Sequence, residues 1–334
     1  MVSLGGEAVR RRDFIKVVGG VVMARPLAAR AQPTMPVIAV LSALPQEFST
    51  NLIASWRKGL SETGFVEGRN VAVEYRFVAS GQYEHLPGLV AELVKRPVEL
   101  IVTMGPPAAL AAKIATTSIP IVFVVGLDPV AAGLVASFSR PGGNATGMSL
   151  ITGPLGQKRL EILRDLVPKA KLVAVILNPV SPDAIPELRD LQGAAQTLGI
   201  ELRVFQASTA SDIDVAFTTL SGQRPDALLV GSDPFYTSQA KRFGASAARL
   251  GIAAIYPFRE FTVAGGLVSY GTNLANAYRQ AGIYTGRILK GDKPGELPVM
   301  QPTTFELVIN LGAAKAVGIE IPATLHARSD EVIE

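Results

Sequence analysis

Short runs of apolar residues alternate along the chain with longer segments whose apolar residues recur at helical spacing. Residues 37–41, 100–103 and 121–125 are nearly continuous apolar runs of strand length. Between them, apolar residues mark one face of a helix at Leu86, Leu89, Val90, Leu93 and Val94. Strands that are apolar throughout belong to parallel sheets covered on both faces. The pattern therefore predicts an α/β fold with parallel sheets.

A second series of strands and helices begins near residue 155 and is similar to the first. Residues 99–102 match 226–229 in character, and 118–121 match 251–254. The order and spacing of the matches repeat at an offset of about 130 residues, which is the mark of a duplicated unit. The repeat predicts two similar Rossmann-like lobes.

The pattern also divides the chain into segments. A helix within about 271–295 is left over from both series, and we expect that part to return to the first lobe. The tail adds a strand and a helix whose lobe the pattern leaves open. The predicted segments are 1–31 as an export signal, 36–149 as lobe 1, 153–268 as lobe 2 and 296–334 as the tail.

The first 31 residues have the features of an export signal. The hexapeptide at 11–16, RRDFIK, resembles the twin-arginine signal. An apolar stretch at 14–24 follows, and the small-x-small site Ala29-Arg30-Ala31 precedes Gln32. The stretch is too short to span a bilayer, which takes about 20 residues. We therefore expect a periplasmic protein whose N-terminal signal is cleaved.

The excess positive charge lies in that N-terminal segment. The chain has 32 Lys and Arg against 28 Asp and Glu, and residues 1–31 hold six of the former and two of the latter. The remainder carries equal numbers of each sign, so it offers no basic surface for a phosphate backbone. We expect no nucleic-acid partner.

Composition also removes several kinds of chemistry. The chain has no cysteine, which excludes thiolate metal sites and a cysteine nucleophile. It has two histidines, His85 and His326, which leave little for metal sites or acid–base catalysis that depend on imidazole. The glycine-rich segment 142–147 lacks the order of a dinucleotide-binding loop, and Ser55-Trp56-Arg57-Lys58 lies mid-helix without the motifs that accompany a catalytic S-x-x-K. We expect no catalytic residue, cofactor or metal.

Candidate ligand contacts follow from the strand ends. In open parallel sheets a ligand binds beyond the carboxyl ends of the strands. Small residues there let a carboxylate reach backbone N–H groups at helix starts. Asp128 and Asp233, one in each lobe, are placed to accept an ammonium group, and an amino acid carries both groups. The candidate ligand-binding residues are Ser42, Gly105, Asp128, Asn178, Ser232, Asp233, Tyr256 and Tyr270.

Each candidate also has an interpretation that needs no ligand. Asp128 and Asp233 precede prolines and are typical helix N-caps. Ser42, Asn178 and Ser232 are typical of turns. Aromatic side chains near strand ends either stack on a flat ligand or belong to the core, an alternative that applies to Tyr256, Phe258 and Tyr270.

Four segments carry a resemblance to a known family. They are GLDPVAAGLVAS at 126–137, RPGGNATG at 140–147, YPFREF at 256–261 and FELVINL at 305–311. Over essentially the whole chain, the sequence resembles the periplasmic substrate-binding proteins of an ABC-importer family related to tryptophan and tyrosine binders. The resemblance implies a type I periplasmic-binding fold, in which a hinge joins the two lobes and a ligand binds in the cleft. It does not imply which ligand.

These observations predict a periplasmic solute-binding protein that delivers a small solute, an amino acid or related carboxylate, to an ABC importer. The expected partners are the solute and the permease and ATPase complex, with membrane contact through the permease alone, and the expected state is a monomer. One alternative is a ligand-sensing module that docks on a membrane receptor. Another is an exported enzyme, which turnover of a cleft ligand would reveal.

Overall fold

Two β-sheets carry the fold in the computed structural model, which describes residues 35–334. The predicted export signal at 1–31 lies outside the described residues. Residues 36–334 form one compact unit that contains both sheets. None of the helices in the described part of the chain is both long and apolar enough to cross a membrane.

The first sheet has five parallel strands in the order β2-β1-β3-β4-β5. Its strands are β1 (Val37–Ser42), β2 (Ala72–Phe77), β3 (Leu100–Met104), β4 (Ile121–Val125) and β5 (Ala145–Ser149). The helices that connect them are α1 (Gln46–Glu62), α2 (Leu86–Leu93) and α3 (Pro106–Ala115), with a 3-10 turn at Tyr83–His85. Strands β3, β4 and β5 are buried along their whole length, as expected for a sheet covered on both faces.

The second sheet has seven strands in the order β12-β11-β10-β9-β8-β6-β7. Its strands are β6 (Leu172–Leu177), β7 (Glu201–Gln206), β8 (Ala227–Val230), β9 (Ala253–Tyr256), β10 (Val268–Gly271), β11 (Glu306–Asn310) and β12 (Glu331–Ile333). The pair β10 and β11 is antiparallel and the other pairs are parallel. The predicted α/β class with largely parallel sheets is confirmed.

Nine further helices follow the first sheet. They are α4 (Thr152–Leu166), α5 (Ala184–Leu198), α6 (Ala210–Gln223), α7 (Pro234–Ser238), α8 (Ala240–Leu250), α9 (Arg259–Val263), α10 (Leu274–Leu289), α11 (Leu311–Val317) and α12 (Ala323–Arg328). Helix α10 packs along α1 and against β4 and β5, although it follows strand β10 of the second sheet. The tail strand β11 pairs with β10, which places it in the second sheet.

The chain therefore crosses between the two sheets three times: after β5, after β10 and before β11. At the first crossing, Ile151 has φ of 53° and ψ of 41°, a left-handed conformation that a β-branched residue rarely adopts. Hydrogen bonds hold the residues on either side, from Leu150 N to Val125 O at 2.7 Å and from Thr152 N to Gly126 O at 3.2 Å. These contacts with the end of β4 fix the strained crossing.

Candidate functional site

The loops beyond the carboxyl ends of the two sheets face each other across a narrow cavity of about 40 Å³. The first-sheet side contributes Gly105 and Gly126, and the second-sheet side contributes Asp183, Ser232 and Asp233. Gly126 and Asp183 also line an adjoining groove of about 590 Å³, so cavity and groove meet at these two residues. Ligands of open parallel sheets bind in such crevices. We call cavity and groove together the cleft.

Asp233 follows strand β8 and reaches the cavity from the start of α7. Its Oδ1 accepts hydrogen bonds from Phe235 N at 2.9 Å, Asn178 Nδ2 at 3.0 Å and the Tyr83 hydroxyl at 2.9 Å. It therefore caps α7, as its position before a proline predicted. Its Oδ2 has no hydrogen-bond partner in residues 35–334, although the side chain is buried. Burial raises the pKa of Asp233, against the lowering effect of Asn178, Tyr83 and the nearby Ser181 hydroxyl.

Asp183, which the sequence did not single out, is the second buried carboxylate at the cleft. It is 4% exposed, and its Oδ1 has no hydrogen-bond partner in the described part of the chain. Its Oδ2 fills the space beside Gly126, where an added Cβ would lie 2.9 Å from that oxygen. Burial and the charges of Glu187 and Asp233 raise the pKa of Asp183 well above its usual range. The signal that could have found it is its place just before a helix, after Pro182.

A buried ion pair lies behind these carboxylates. Arg159 on α4 and Glu187 on α5 are 3.1 Å apart, with side chains 1% and 3% exposed. The guanidinium also donates to Thr152 O at 2.7 Å, and Ser232 N donates to Glu187 Oε2 at 2.9 Å. Burial raises the pKa of Glu187, although the charge and hydrogen bond of Arg159 act to lower it. The cluster thus holds three buried carboxylates, those of Asp183, Glu187 and Asp233, against one guanidinium.

The structure does not bring together all of the predicted contacts. Ser42 is fully buried, and its Oγ lies 3.0 Å from Ser49 Oγ and accepts from Leu44 N. Tyr256 stacks on Phe261 with ring centroids 5.1 Å apart, inside the core. Tyr270 packs against Phe305. Among the described residues, those that line the cleft do not include Ser42, Tyr256 or Tyr270.

The remaining predicted contacts lie at or next to the cleft. Gly105, Ser232 and Asp233 line the cavity. Asn178 touches the site through its hydrogen bond to Asp233. Asp128 lines the groove, where it is exposed and its Oδ1 accepts from Val130 N and Ala131 N. Asp128 thus caps a turn as well as facing the groove, since no helix begins there. Of the three aromatic residues weighed above, Phe258 reaches the cavity.

Contacts between the two sides close the cavity. The Tyr83 hydroxyl of the first side donates to Asp233 and accepts from Phe235 N at 2.9 Å. Nearby, Ser80 Oγ lies 2.5 Å from Ser238 Oγ. Gly105 lies so near Pro234 that an added Cβ would be 2.8 Å from its Cγ. Burial and the charge of Asp233 raise the pKa of Tyr83, which keeps its hydroxyl protonated as a donor.

Replacing Tyr83 with phenylalanine is expected to weaken the closed arrangement. The variant loses one hydrogen bond to a carboxylate and one from Phe235 N, so we expect a loss of about 1 kcal/mol and a larger radius of gyration in small-angle X-ray scattering. Tyr284→Phe is the matched control. It also removes a hydroxyl, one that donates a hydrogen bond of 2.8 Å to Pro298 O and does not line the cleft. An equal radius for both variants and the parent protein would contradict this role.

The residues described here contain no cluster of three or more side chains spaced to bind a metal ion. The wall of the cavity combines two buried carboxylates, those of Asp183 and Asp233, with apolar residues that include Leu44, Val124 and Tyr278.

Comparison with known proteins identifies the family. The model of the family described as ABC transporter substrate binding protein matches residues 37–333. The chain belongs to this family. The predicted resemblance is confirmed, and members of the family are substrate-binding proteins.

Three relatives illustrate the match. A protein named tyrosine-binding protein from Clostridioides difficile is 28% identical over 263 residues, which is 79% of this chain and 75% of that protein. The crystal structure of a conserved domain protein from Vibrio cholerae has a TM-score of 0.83 at 26% identity, covering 89% of this chain and 99% of the other. A Streptococcus pneumonia domain crystallised with L-Trp has a TM-score of 0.80 at 24% identity, covering 89% and 100%.

Proposed function

We propose that this protein binds an amino acid in the cleft, outside the cytoplasmic membrane, and delivers it to an ABC importer. One observation carries the proposal: two buried carboxylates, Asp183 and Asp233, each leave an oxygen unpartnered within residues 35–334 at the wall of the cleft. Buried polar atoms without a partner are rare in native proteins, and at a cleft they suggest a ligand group that supplies the missing donors. An ammonium group supplies three.

The charge of the cluster supports a cationic ligand group. Glu187 is paired with Arg159, which leaves the charges of Asp183 and Asp233 without a buried counter-ion in the described structure. An isolated buried charge is costly, whereas a charge paired through hydrogen bonds is tolerated. An ammonium group in the cavity that both carboxylates line would provide that pairing.

The shape of the cleft supports a position for the rest of the ligand. A cavity of about 40 Å³ has room for a group the size of water or ammonium, whereas the groove of about 590 Å³ has room for a whole amino acid. The groove combines apolar residues such as Leu127 and Phe138 with polar ones such as Thr152 and Gln301. We place the amino group at Asp183 and the body of the ligand in the groove. Relatives named for tyrosine and crystallised with L-Trp support aromatic amino acids as the first ligands to test.

The two-sided site supports delivery of the ligand to a permease. Because the cleft is lined from both sheets, a ligand contacts both sides together only when the cleft is closed, and its binding shifts an open–closed equilibrium toward the closed state. A permease that recognises the closed arrangement then receives the loaded form. The twin-arginine pattern at 11–16 supports export to the periplasm, where such a permease is reached.

The test measures ligand binding by the protein that begins at Gln32. This protein is first unfolded and refolded to remove bound solute. Thermal shifts with the L-amino acids identify binders, since a ligand at 100 times its Kd stabilises by about 2.7 kcal/mol. Titration calorimetry then compares Asp183→Asn and Asp233→Asn with the parent protein. We expect either change to weaken binding by about 30-fold or more, because removing one partner of a buried charge pair costs about 2–5 kcal/mol.

Asp214→Asn is the matched control, since Asp214 is exposed and pairs with Arg242 at 2.8 Å outside the cleft. We expect the control to bind as the parent does. Unchanged affinity in both cleft variants would disprove the proposed site. Failure of every L-amino acid to bind the folded parent protein would disprove the proposed ligand class.

A further inference from the structure

We infer that binding of the ligand's amino group is coupled to the release of a proton from the acid cluster, which we define as Asp183, Glu187 and Asp233. The inference rests on the proposed function, because it requires a ligand that carries an ammonium group. It adds a regulatory property to that site: the affinity of the protein for its solute depends on pH. Such a dependence matters for a protein exposed to the medium outside the cell.

The first step is the count of charges in the cluster. Three buried carboxylates face one buried guanidinium, that of Arg159, which is hydrogen-bonded to Glu187. The other charged and titratable groups that face the cluster from neighbouring elements and from across the groove are Tyr83, Tyr236, Asp128, Arg189 and Asp190. Arg189 is the one cation among these five groups, and its side chain is 80% exposed and directed to Asp190 at 3.7 Å. The surroundings therefore leave Asp183 and Asp233 without a close cation.

The second step is the placement of the unpaired oxygens. Asp183 Oδ1 and Asp233 Oδ2 are both buried without a hydrogen-bond partner in the described structure. Two carboxylates that share a buried site without a cation do not both ionise at ordinary pH, because each charge disfavours the other. Burial and the neighbouring carboxylates raise the pKa of Asp183 well above its usual range, in agreement with this geometry. Asp183 is thus the group that retains a proton before the ligand enters.

The third step is the proton balance of binding. The ligand enters as an ammonium ion and keeps all of its protons, while the acid O–H of Asp183 ionises and its proton passes to solvent. The resulting carboxylate accepts an N–H hydrogen bond from the ammonium, so the complex binds one proton fewer than the free components. By linkage, the association constant then rises with pH, by up to tenfold per pH unit where Asp183 is protonated in the free protein.

The experiment is titration calorimetry of the parent protein with L-tryptophan and L-tyrosine, or with whichever L-amino acid the thermal-shift screen finds. It is done at one mildly acidic pH in two buffers that differ in ionisation enthalpy. The difference in measured enthalpy between buffers gives the number of protons released. We expect about one proton per ligand, and an affinity that falls as the pH is lowered. This measurement needs no variant, so a misfolded mutant cannot obscure it.

Variants then locate the proton. Asp183→Asn is expected to lose the release of the proton and to bind more weakly with a flat pH profile, while Asp214→Asn keeps both the release and the pH dependence. Equal enthalpies in the two buffers together with a flat pH profile for the parent protein would overturn the inference and leave the proposed function standing. Full proton release in both Asp183→Asn and Asp233→Asn would overturn its assignment to the acid cluster. A folded parent protein that binds no L-amino acid overturns the proposed function, and the inference with it.

Discussion

Replacing Arg159 with methionine is expected to lower the free energy of unfolding by about 3–5 kcal/mol, the cost of leaving one partner of a buried ion pair unpaired. Arg159 is 1% exposed and is the guanidinium that faces Glu187 within the cluster. Its removal leaves Glu187 beside two further carboxylates in a buried site. It also removes the donor to Thr152 O at the start of α4, where the chain has just crossed between the sheets. Urea denaturation followed by circular dichroism measures the loss.

The pH dependence of this loss tests its electrostatic origin. Without Arg159, the folded-state pKa of Glu187 rises further above its unfolded value, because the cation no longer opposes burial. A carboxyl with a raised folded pKa destabilises the protein when it must ionise, so the penalty is absent below the unfolded pKa and grows as the pH rises toward the folded pKa. We therefore expect the variant to approach the parent in acid.

Two controls separate the ion pair from general damage. Arg189→Met removes a guanidinium that is 80% exposed and lies two residues after Glu187 on α5, and its effect should be below about 1 kcal/mol. The double variant Arg159→Met with Glu187→Met removes both charges and should recover much of the loss, because a well-packed apolar pair replaces a buried ion pair at little cost. A loss in the double variant as large as in Arg159→Met would show that packing, not charge, is responsible.

Replacing Gly282 with alanine is expected to cost about 3 kcal/mol, the upper end for overpacking a tight interior. Gly282 lies where α10 crosses α1, and an added Cβ would overlap the carbonyl oxygen of Trp56 and lie 2.7 Å from Leu60 N. These are backbone atoms, so the clash is relieved only if the helices separate. Gly59 on the facing helix is equally close to the carbonyl oxygen of Arg279. Separation would also break the hydrogen bond from Trp56 Nε1 to Thr285 Oγ1, at 3.1 Å.

Gly193→Ala provides the matched control for Gly282→Ala. Gly193 lies within α5, and an added Cβ there has no atom within 4 Å. Alanine is favoured over glycine inside a helix by about 1 kcal/mol, so this variant should be as stable as the parent or more so. Thermal denaturation of the two variants and the parent compares the same chemical change at a packed and an open position. Equal melting temperatures for both variants would contradict the close helix contact.

Local patterns determined much of the fold. The apolar runs at 37–41, 100–103 and 121–125 specified β1, β3 and β4, because a strand buried on both faces needs apolar residues throughout. Strand β5 was missed, since its sequence Ala-Thr-Gly-Met-Ser has no such run and is buried only because β4 and the Met300 segment pair with it. The antiparallel pairing of β10 with β11 was also beyond local pattern, because it joins residues far apart in the chain.

The residues of the candidate site likewise include some that the sequence indicates and some that only the packing of the chain determines. The rule that ligands bind beyond strand ends predicted Gly105, Ser232 and Asp233, which line the cavity because each follows a strand whose end the sequence marks. The same rule selected Tyr256 and Tyr270, since it does not tell which way a side chain points at a strand end. Tyr256 turns into the core and stacks on Phe261, a choice made by packing rather than by sequence position.

By itself, the sequence determined the alternation of strands and helices, the α/β class, the family and the end of each sheet where a ligand is expected. Each of these depends on residues close together in the chain or on a repeated pattern. The tertiary structure alone decided that Asp183 joins Asp233 at one cleft, that Arg159 pairs with Glu187 28 positions away, and that Tyr83 meets Asp233 150 positions away. Those contacts form only when the sheets and helices pack together. Packing buries the charged groups, and the free-energy cost of burying charge determines how strongly each contact affects stability and ligand binding.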